Sequence, residues 1–333
     1  MSFFAILCAL LIEQVRPLAH HNPVYAAVLG WTRWTSRNFD AGKPVHGWVA
    51  WGLAVFVPTL VTLGVHWLLV LTLGLPFAVL WSVAVLYVTL GFRQFSHHFT
   101  GIRDALDEGD EPLARSLLAH WQHVDAADLP RSEIVRHVIE HSVIAAHRHV
   151  FGVLAWFSIL AALGLGPAGA AFYRMSEFVS RYWVHKDGAA VQPSSVWVRE
   201  AAARAWSAID WVPARITALG FAVVGSFEDA IDCWRNDARR FPNPNDGVIL
   251  AATSGAVNVR LGGGTLRAMP VVGDALSPAQ AGEPLAVGGG DSGSTPGRQP
   301  EVAHLRSVVG LVWRSVVMWM VLLALLTLAR LLG

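Results

Sequence analysis

Four long apolar segments constrain the fold of this chain more than any other feature. They are residues 48–71, 75–92, 149–166 and 308–332. A helix needs about 20 predominantly apolar residues to cross a hydrocarbon core of about 30 Å. A fifth apolar segment, 216–225, is too short to cross without its flanks. Because unpaired backbone groups are costly in lipid, we expect the membrane-crossing segments to be helical.

The composition agrees with a membrane protein. Of 333 residues, 54% are hydrophobic and only 15% are charged, whereas soluble domains carry about 25% charged residues. The formal net charge of +1 implies no nucleic-acid partner. Cys8 and Cys233 lie far apart and indicate neither a disulfide framework nor a zinc ribbon. The N-terminal segment lacks the basic start and the small-residue cleavage site of a signal peptide, so we expect a short apolar helix there.

The distribution of Lys and Arg sets the expected orientation. Residues 1–47 carry four of them, residues 93–148 carry six, and residues 172–306 carry thirteen. Basic segments stay in the cytoplasm, so we predict that residues 149–184 form a membrane hairpin that returns the chain to that side. Its second arm holds Arg174, Glu177 and Arg181, whose i, i+3 and i+4 spacing allows ion pairs. These charges are either functional or a neutralised structural pair.

The patterns together predict an all-α, polytopic protein of the bacterial inner membrane, with four to six membrane helices and a cytoplasmic helical portion. The expected partners are the lipid bilayer and a membrane or cytoplasmic protein. The expected order is a short apolar helix and polar segment (1–47), a transmembrane hairpin (48–92), a cytoplasmic helical hairpin (93–148), the membrane hairpin (149–184), a cytoplasmic segment (185–275), a flexible linker (276–307) and a C-terminal transmembrane helix (308–332).

A candidate metal motif lies in the stretch RHVIEHSVIAAHRH. His137, Glu140 and His141 spell the inverted zinc-protease pattern, and the helical spacing puts both histidines on one face. The alternative is a polar helix beside the membrane with interfacial histidines, because a short motif arises by chance in a chain with 14 histidines. We predict no metal site and keep His137 and His141 as the candidate ligands.

Several blocks resemble one membrane protein family. They are LARSLLAHWQHVDAADLPRSEIVRHVIE (113–140), DWVPARITAL (210–219), EDAIDCWRNDARRFPNPNDG (228–247) and SGAVNVRLGGG (254–264). Together with the terminal apolar segment they are similar to the adenosylcobinamide-phosphate synthases of cobalamin biosynthesis, the CobD/CbiB family. The resemblance implies candidate catalytic residues Glu140, Asp125 and Arg215. It also implies a ligand-binding role for Asn245, Gly262 and Gly263.

The resemblance further implies an amide-forming ligase that acts on a corrinoid carboxylate, with acidic residues that hold Mg²⁺ and basic groups near phosphate. Most of the acids expected from the family are replaced here. Their positions correspond to Ile144, Arg148, Val179, Trp206, Ser207 and Leu250. No cofactor is evident, and Mg²⁺ with ATP, or a corrinoid, is expected only if the activity survives.

Two functions therefore remain open. The first is a cobalamin-biosynthesis protein with synthase-like activity. The second is a catalytically inactive sensor or assembly partner, because the opening SFFAILCALLIEQVRPL (2–18) and DWVPARI (210–216) also resemble AmpE, a membrane protein linked to β-lactamase induction.

Overall fold

The computed structural model describes residues 2–16, 23–122, 124–185, 194–264, 266 and 293–332. These residues form α-helices without a β-strand, which confirms the predicted all-α class. The α-helices in these ranges are α1 (Ser2–Val15), α2 (Pro23–Phe39), α3 (Pro44–Thr72), α4 (Leu75–Thr89), α5 (Phe92–Asp107), α6 (Glu111–Gln122), α7 (Arg131–Ala146), α8 (Gly152–Ala162), α9 (Ala168–His185), α10 (Val196–Ile209), α11 (Trp211–Val224), α12 (Phe227–Asp237), α13 (Pro244–Val257) and α14 (Val302–Leu332).

Within the described ranges, three helices are long and apolar enough to cross a membrane by length and composition. They are Pro44–Thr72, Arg131–Ala162 and Val302–Ala329. The second consists of α7, a π-helical turn at His147–Phe151, and α8. A fourth crossing is counted if the bent pair α10 and α11 forms one span. The helices α1 and α4 are apolar but shorter. These spans are compatible with the predicted polytopic membrane protein.

The first compact unit consists of Met1–Gly91, Arg148–Pro213 and Leu323–Gly333. Its core forms where α3, α9 and α10 pack together, and small residues allow the helices to approach closely. A Cβ atom at Gly47 would lie 2.5 Å from the backbone oxygen of Trp197, so only glycine fits where α3 meets α10. The core side chains on these helices are Ala50, Trp51, Ala54, Val55, Met175, Val179, Trp183, Val198, Ala202 and Ala205.

The charged residues expected to pair on α9 do so in this unit. Arg174 Nη1 lies 2.8 Å from Glu177 Oε2, and Arg181 Nε lies 3.0 Å from Glu177 Oε1. The Glu177 side chain is almost fully buried at 2% exposure. The i, i+3 and i+4 spacing therefore produces the ion pairs predicted from the sequence.

The second compact unit consists of Phe92–His147 and Ala214–Leu322. In it α5 packs on α6 across the turn at residues 108–110, and α12 packs on α13. The helices α12 and α13 pack closely because two glycines of α13 lie against the backbone of neighbouring residues. A Cβ atom at Gly255 would collide with the Asp229 carbonyl group, and one at Gly247 would collide with the Ala238 carbonyl oxygen. Glycine at these positions costs helix propensity, which the close packing offsets.

The predicted flexible linker, 276–307, lies outside the described residues as far as residue 292. Its remaining part differs from the expectation. Thr295 is 1% exposed and its backbone NH donates to the Leu261 carbonyl at 2.7 Å. An isolated parallel bridge joins Val259 and Arg298, and α14 begins at Val302. Buried backbone groups need hydrogen-bond partners, which these residues find in a distant part of the chain. A composition rich in Gly and Pro does not predict such long-range pairing.

Candidate functional site

A buried ion pair on α7 is the centre of the candidate site. The helix begins directly after Pro130, and Glu133, Arg136 and Glu140 follow at i, i+3 and i+7. Arg136 Nη1 donates to Glu140 Oε1 at 3.0 Å, and Arg136 Nε donates to Glu133 Oε2 at 2.9 Å. Arg136 is 3% exposed and Glu140 is 2% exposed. A buried charge of either sign needs such a partner, since an isolated one would be strongly destabilised.

The same ion pair binds the glycine segment that follows α13. The backbone NH of Gly262 donates to Glu140 Oε1 at 2.7 Å, and Arg136 Nη2 donates to the Gly264 carbonyl at 2.8 Å. Gly262 and Gly263 have φ values of +81° and +117°, a region that favours glycine. A Cβ atom at Gly262 would also lie 2.6 Å from the Gly293 carbonyl oxygen. The structure thus brings together the sequence-predicted residues Glu140, Gly262 and Gly263.

The histidines of the candidate metal motif have other neighbours. His137 Nε2 lies 2.8 Å from Arg136 Nη2. Because a guanidinium only donates, Nε2 accepts and the ring proton is on Nδ1, which lies 3.7 Å from Glu140 Oε2. The His141 ring meets the Trp121 ring edge to face, with centroids 4.3 Å apart. His137 could bind a metal through Nε2 only if Arg136 moved away.

No group of three or more His, Cys, Asp or Glu side chains suited to a metal ion occurs among the described residues. The expectation that His137 and His141 bind no metal stays a prediction.

A second pair of sequence-predicted residues meets between α11 and α13. Arg215 Nη1 donates to Asn245 Oδ1 at 2.7 Å. The Asn243 side chain accepts from the backbone NH of Asn245 at 3.0 Å and caps the start of α13. Pro244 occupies the first helical position, where its missing NH is no loss. Asn245 is 2% exposed, so this contact stabilises the junction of the two helices.

The third catalytic candidate lies in a different environment. Asp125 is exposed in the turn between α6 and α7, and its carboxylate accepts the Ala127 backbone NH at 3.1 Å. A side chain that caps its own turn is a common role for aspartate. The structure therefore groups Glu140 with the glycine segment and Arg215 with Asn245, and it leaves Asp125 at the surface.

Several site residues were not singled out from the sequence. Arg136 could have been found, because Glu133, Arg136 and Glu140 have the spacing of helical ion pairs. Asn243 could have been found from the Asn-Pro pair at a helix start. Ser254 and Thr295 could not. Their hydroxyl oxygens lie 2.7 Å apart although 41 residues separate them, and local periodicity does not predict such a contact.

Most of the residues that we predicted to stand in place of acids are buried and apolar. Ile144, Val179 and Leu250 are 0% exposed, and Trp206 packs against the Tyr173 ring with centroids 5.2 Å apart. Ser207 is exposed. Ile144, Val179, Leu250 and Trp206 therefore contribute to the packing of their own units rather than to a polar site.

Comparison with known proteins shows similarity to one family. Residues 2–284 match the family described as "CobD/Cbib protein". A protein of Stutzerimonas stutzeri is 30% identical over 283 residues, which cover 84% of this chain and 81% of that protein. One of Chromobacterium violaceum is 34% identical over 182 residues, 55% of each chain. One of Mycobacterium tuberculosis is 43% identical over 88 residues, 23% of this chain and 28% of that protein. Each bears the name "Cobalamin biosynthesis protein CobD". No solved structure matches the chain.

Proposed function

This chain belongs to the CobD/CbiB family, and from that premise we propose that it acts in cobalamin biosynthesis as a multi-pass protein of the bacterial inner membrane. Three long apolar helices support the membrane assignment. The distribution of Lys and Arg supports the orientation, with the large polar segments on the cytoplasmic side.

One observation carries the proposal for the site. The hydrogen bond from Gly262 to Glu140 joins two of the sequence blocks that carry the family resemblance, 113–140 and 254–264. These blocks lie 122 residues apart at the contact, and the buried Arg136 contacts both. Such an arrangement supports a common site rather than two unrelated similarities.

The chain's own residues define what this site can do. Arg136 neutralises Glu140 and binds the Gly264 carbonyl, so the glycine segment is held in one conformation. Gly263 has no side chain and is partly exposed, so it allows close approach of a ligand, whereas the space beside Gly262 is taken by the Gly293 carbonyl oxygen. We propose that a corrinoid, or the polar periphery of one, contacts this segment.

In the part of the chain that the structure describes, the residues around Glu140 do not fit a magnesium site. Among the described residues, acidic and histidine side chains form no group of three, and Glu140 is already paired with Arg136. We therefore assign no residue to Mg²⁺ or ATP and derive no step through them.

We propose further that the protein binds a corrinoid without itself forming the amide bond. The supporting observation is the burial of Ile144, Val179 and Leu250 at the positions of expected acids. A carboxylate at a fully buried apolar position would be strongly penalised unless paired. The cores around these positions are therefore suited to packing and not to holding a cation.

Two measurements test the proposal. The purified protein in detergent is dialysed against cobyric acid or cobinamide, and bound corrinoid is read from its visible absorbance. The gene is also placed in a strain that lacks the synthase, with cobyric acid as the corrinoid source. We expect binding without growth. Growth would show that amide formation survives and would contradict the inactive assignment. Absence of both binding and growth would contradict the role in cobalamin biosynthesis.

The second candidate function is an inactive sensor or assembly partner similar to AmpE. The observation that favours it is the structural use of the matched residues. Glu140 forms an ion pair with Arg136, Arg215 donates a hydrogen bond to Asn245, and Asp125 caps a turn. In this case the protein binds no corrinoid, and deletion of its gene leaves growth on cobyric acid unchanged.

A further inference from the structure

A short segment before α14 packs against the backbone that leads from α13 to the glycine segment of the candidate site. It comprises residues 293–298 and lies in the second compact unit, as the candidate site does. The Arg260 NH donates to the Arg298 carbonyl at 2.8 Å, and the Arg298 NH donates to the Asn258 carbonyl at 3.2 Å. Two parts of the chain that are distant in sequence are thus joined by backbone hydrogen bonds directly before the glycines.

Thr295 forms hydrogen bonds with the residue that directly precedes the glycines. Its backbone NH donates to the Leu261 carbonyl at 2.7 Å, and its hydroxyl oxygen accepts from the Leu261 NH at 2.9 Å. Leu261 is 0% exposed and Thr295 is 1% exposed. A buried NH without an acceptor is costly, so the Thr295 hydroxyl oxygen is the group that makes burial of this amide possible.

The Thr295 hydroxyl is oriented in turn by Ser254 of α13. The two hydroxyl oxygens lie 2.7 Å apart, and Ser254 Oγ lies 2.7 Å from the Val259 carbonyl oxygen and 3.2 Å from that of Pro296. A carbonyl oxygen only accepts, so the single hydroxyl proton of Ser254 goes to the nearer carbonyl, and Ser254 accepts the proton of Thr295. The hydrogen bonds then run in one direction from the Leu261 NH through both hydroxyls to Val259, and each strengthens the next.

Two consecutive backbone amides are therefore bound by two different side chains. The Leu261 NH donates to Thr295, and the next NH, that of Gly262, donates to Glu140 Oε1 at 2.7 Å. Leu261 and Gly262 are buried, and Gly263 is the first residue after them that is partly exposed. The two hydrogen bonds thus fix the backbone directly before the residue that a ligand can reach.

From this geometry we propose that Thr295, supported by Ser254, is a positioning residue for ligand binding at Gly263. The inference rests on the proposed function, in which a corrinoid contacts the glycine segment. Thr295 does not touch the ligand and acts through the Leu261 amide. Glycine backbone has an unusually wide choice of conformations, and the anchored amide of Leu261 restricts that choice before the ligand arrives. A ligand then binds a segment that is already ordered, which strengthens binding without any new contact.

The test compares three variants with the unmodified full-length protein in detergent. Thr295→Val removes the hydroxyl and keeps the shape of the side chain, whereas Thr295→Ser keeps the hydroxyl and loses a buried methyl group. Thr253→Val is the matched control, because Thr253 is also fully buried and its hydroxyl donates to the Ile249 carbonyl of its own helix at 2.8 Å. Each protein is titrated with cobinamide, and bound corrinoid is read from its visible absorbance. The melting temperature and the hydrogen exchange of residues 258–264 are measured without cobinamide.

We expect Thr295→Val to weaken cobinamide binding and to speed the exchange of the 258–264 amides, each by about tenfold, because a buried hydrogen bond is lost. Thr295→Ser should bind cobinamide and exchange like the unmodified protein, even though the lost methyl group lowers its melting temperature. Thr253→Val should leave binding and exchange unchanged. If Thr295 were merely structural, cobinamide binding would follow the melting temperature in all three variants, and that result would overturn the proposal.

Other results would also overturn the positioning role. They are unchanged binding in Thr295→Val, with or without faster exchange, and a loss of binding in Thr295→Ser as large as that in Thr295→Val. If the unmodified protein binds no cobinamide, the proposed function fails, and the exchange rates alone then decide whether Thr295 fixes the glycine segment. If Thr295→Val is not recovered folded, Ser254→Ala takes its place, because it removes the other hydroxyl of the same hydrogen-bond series.

Discussion

Glu140 accepts a hydrogen bond from the backbone NH of Gly262 at 2.7 Å, across 122 residues of sequence. The same carboxylate pairs with Arg136, which lies one turn earlier on α7. Glu140 thus connects a helix to a glycine segment and has its charge balanced at the same time.

Removal of either partner of the buried pair should be strongly destabilising. Glu140→Ala removes the buried partner of Arg136 and leaves it paired only with the more exposed Glu133, and breaking a buried pair typically costs about 3–5 kcal/mol. The double variant Arg136→Ala/Glu140→Ala should lose less than the sum of the single losses, since the two residues are in contact. Thermal unfolding of the detergent-purified proteins measures these losses of stability. The control is Glu200→Ala, which breaks an exposed pair and should cost at most about 1 kcal/mol. Additive losses would contradict the coupling.

Substitution at Gly262 should cost more than substitution at a glycine of equal backbone conformation in open space. Gly262 and Gly109 have φ values of +81° and +82°, but only Gly262 has a carbonyl oxygen close to the position of a Cβ atom. Gly109→Ala should lose about 1–2 kcal/mol from the left-handed backbone alone. Gly262→Ala should lose about 1–3 kcal/mol more from overpacking. Equal melting temperatures for the two variants would show that the Gly293 contact is unimportant.

The contact between Arg215 and Asn245 should appear as a coupling energy. Each single alanine variant should lose about 1.5–3 kcal/mol, because a hydrogen bond to a charged group is broken near a buried amide. A double-mutant cycle with Arg215→Ala and Asn245→Ala should give a coupling of about 0.5–3 kcal/mol. The coupling energy is calculated from the free energies of unfolding of the unmodified protein, the two single variants and the double variant, each measured by denaturation. A coupling energy of zero would mean that Arg215 serves a purpose other than this contact.

The Cys233 thiol should react slowly with maleimide, and its reaction should need a higher pH than that of an exposed cysteine thiol. Burial raises the pKa of Cys233, and the nearby Asp237 and Asp229 raise it further. The folded protein therefore holds the thiol proton more tightly than the unfolded chain, and the resulting stability is lost as the pH rises above about 8.5 through the raised pKa. Maleimide labelling of the Cys8→Ser variant measures this, with the same protein unfolded in detergent as the control. Equal labelling rates in the two states would contradict the burial.

The large polar segments should share the cytoplasmic side of the membrane. In a variant without Cys8 and Cys233, single cysteines are introduced by Gly109→Cys and Glu228→Cys, both at exposed positions. The distribution of Lys and Arg predicts that a membrane-impermeant thiol reagent labels neither in intact cells and both after permeabilisation. Labelling of only one of them in intact cells would reject the predicted hairpin at 149–184.

Local patterns were sufficient for the helical class, the apolar helices and the ion pairs on single helices. Segment 48–71 lies within α3, and Arg174, Glu177 and Arg181 pair as their spacing requires. These features depend on residues three or four apart or on a continuous apolar run, and both can be read along the chain. The family resemblance was likewise carried by contiguous blocks, and it was confirmed over residues 2–284.

Tertiary structure alone decided which of these blocks meet. Glu140 could have been exposed on α7, and only the folded chain places it against Gly262. Residues 293–298 have the composition of a linker, yet Thr295 is buried and forms hydrogen bonds with Ser254 and Leu261. Such contacts form because a buried NH, hydroxyl or charge has to find a partner wherever the backbone brings one. The helical periodicity of either segment carries no information about a partner that lies tens of residues away.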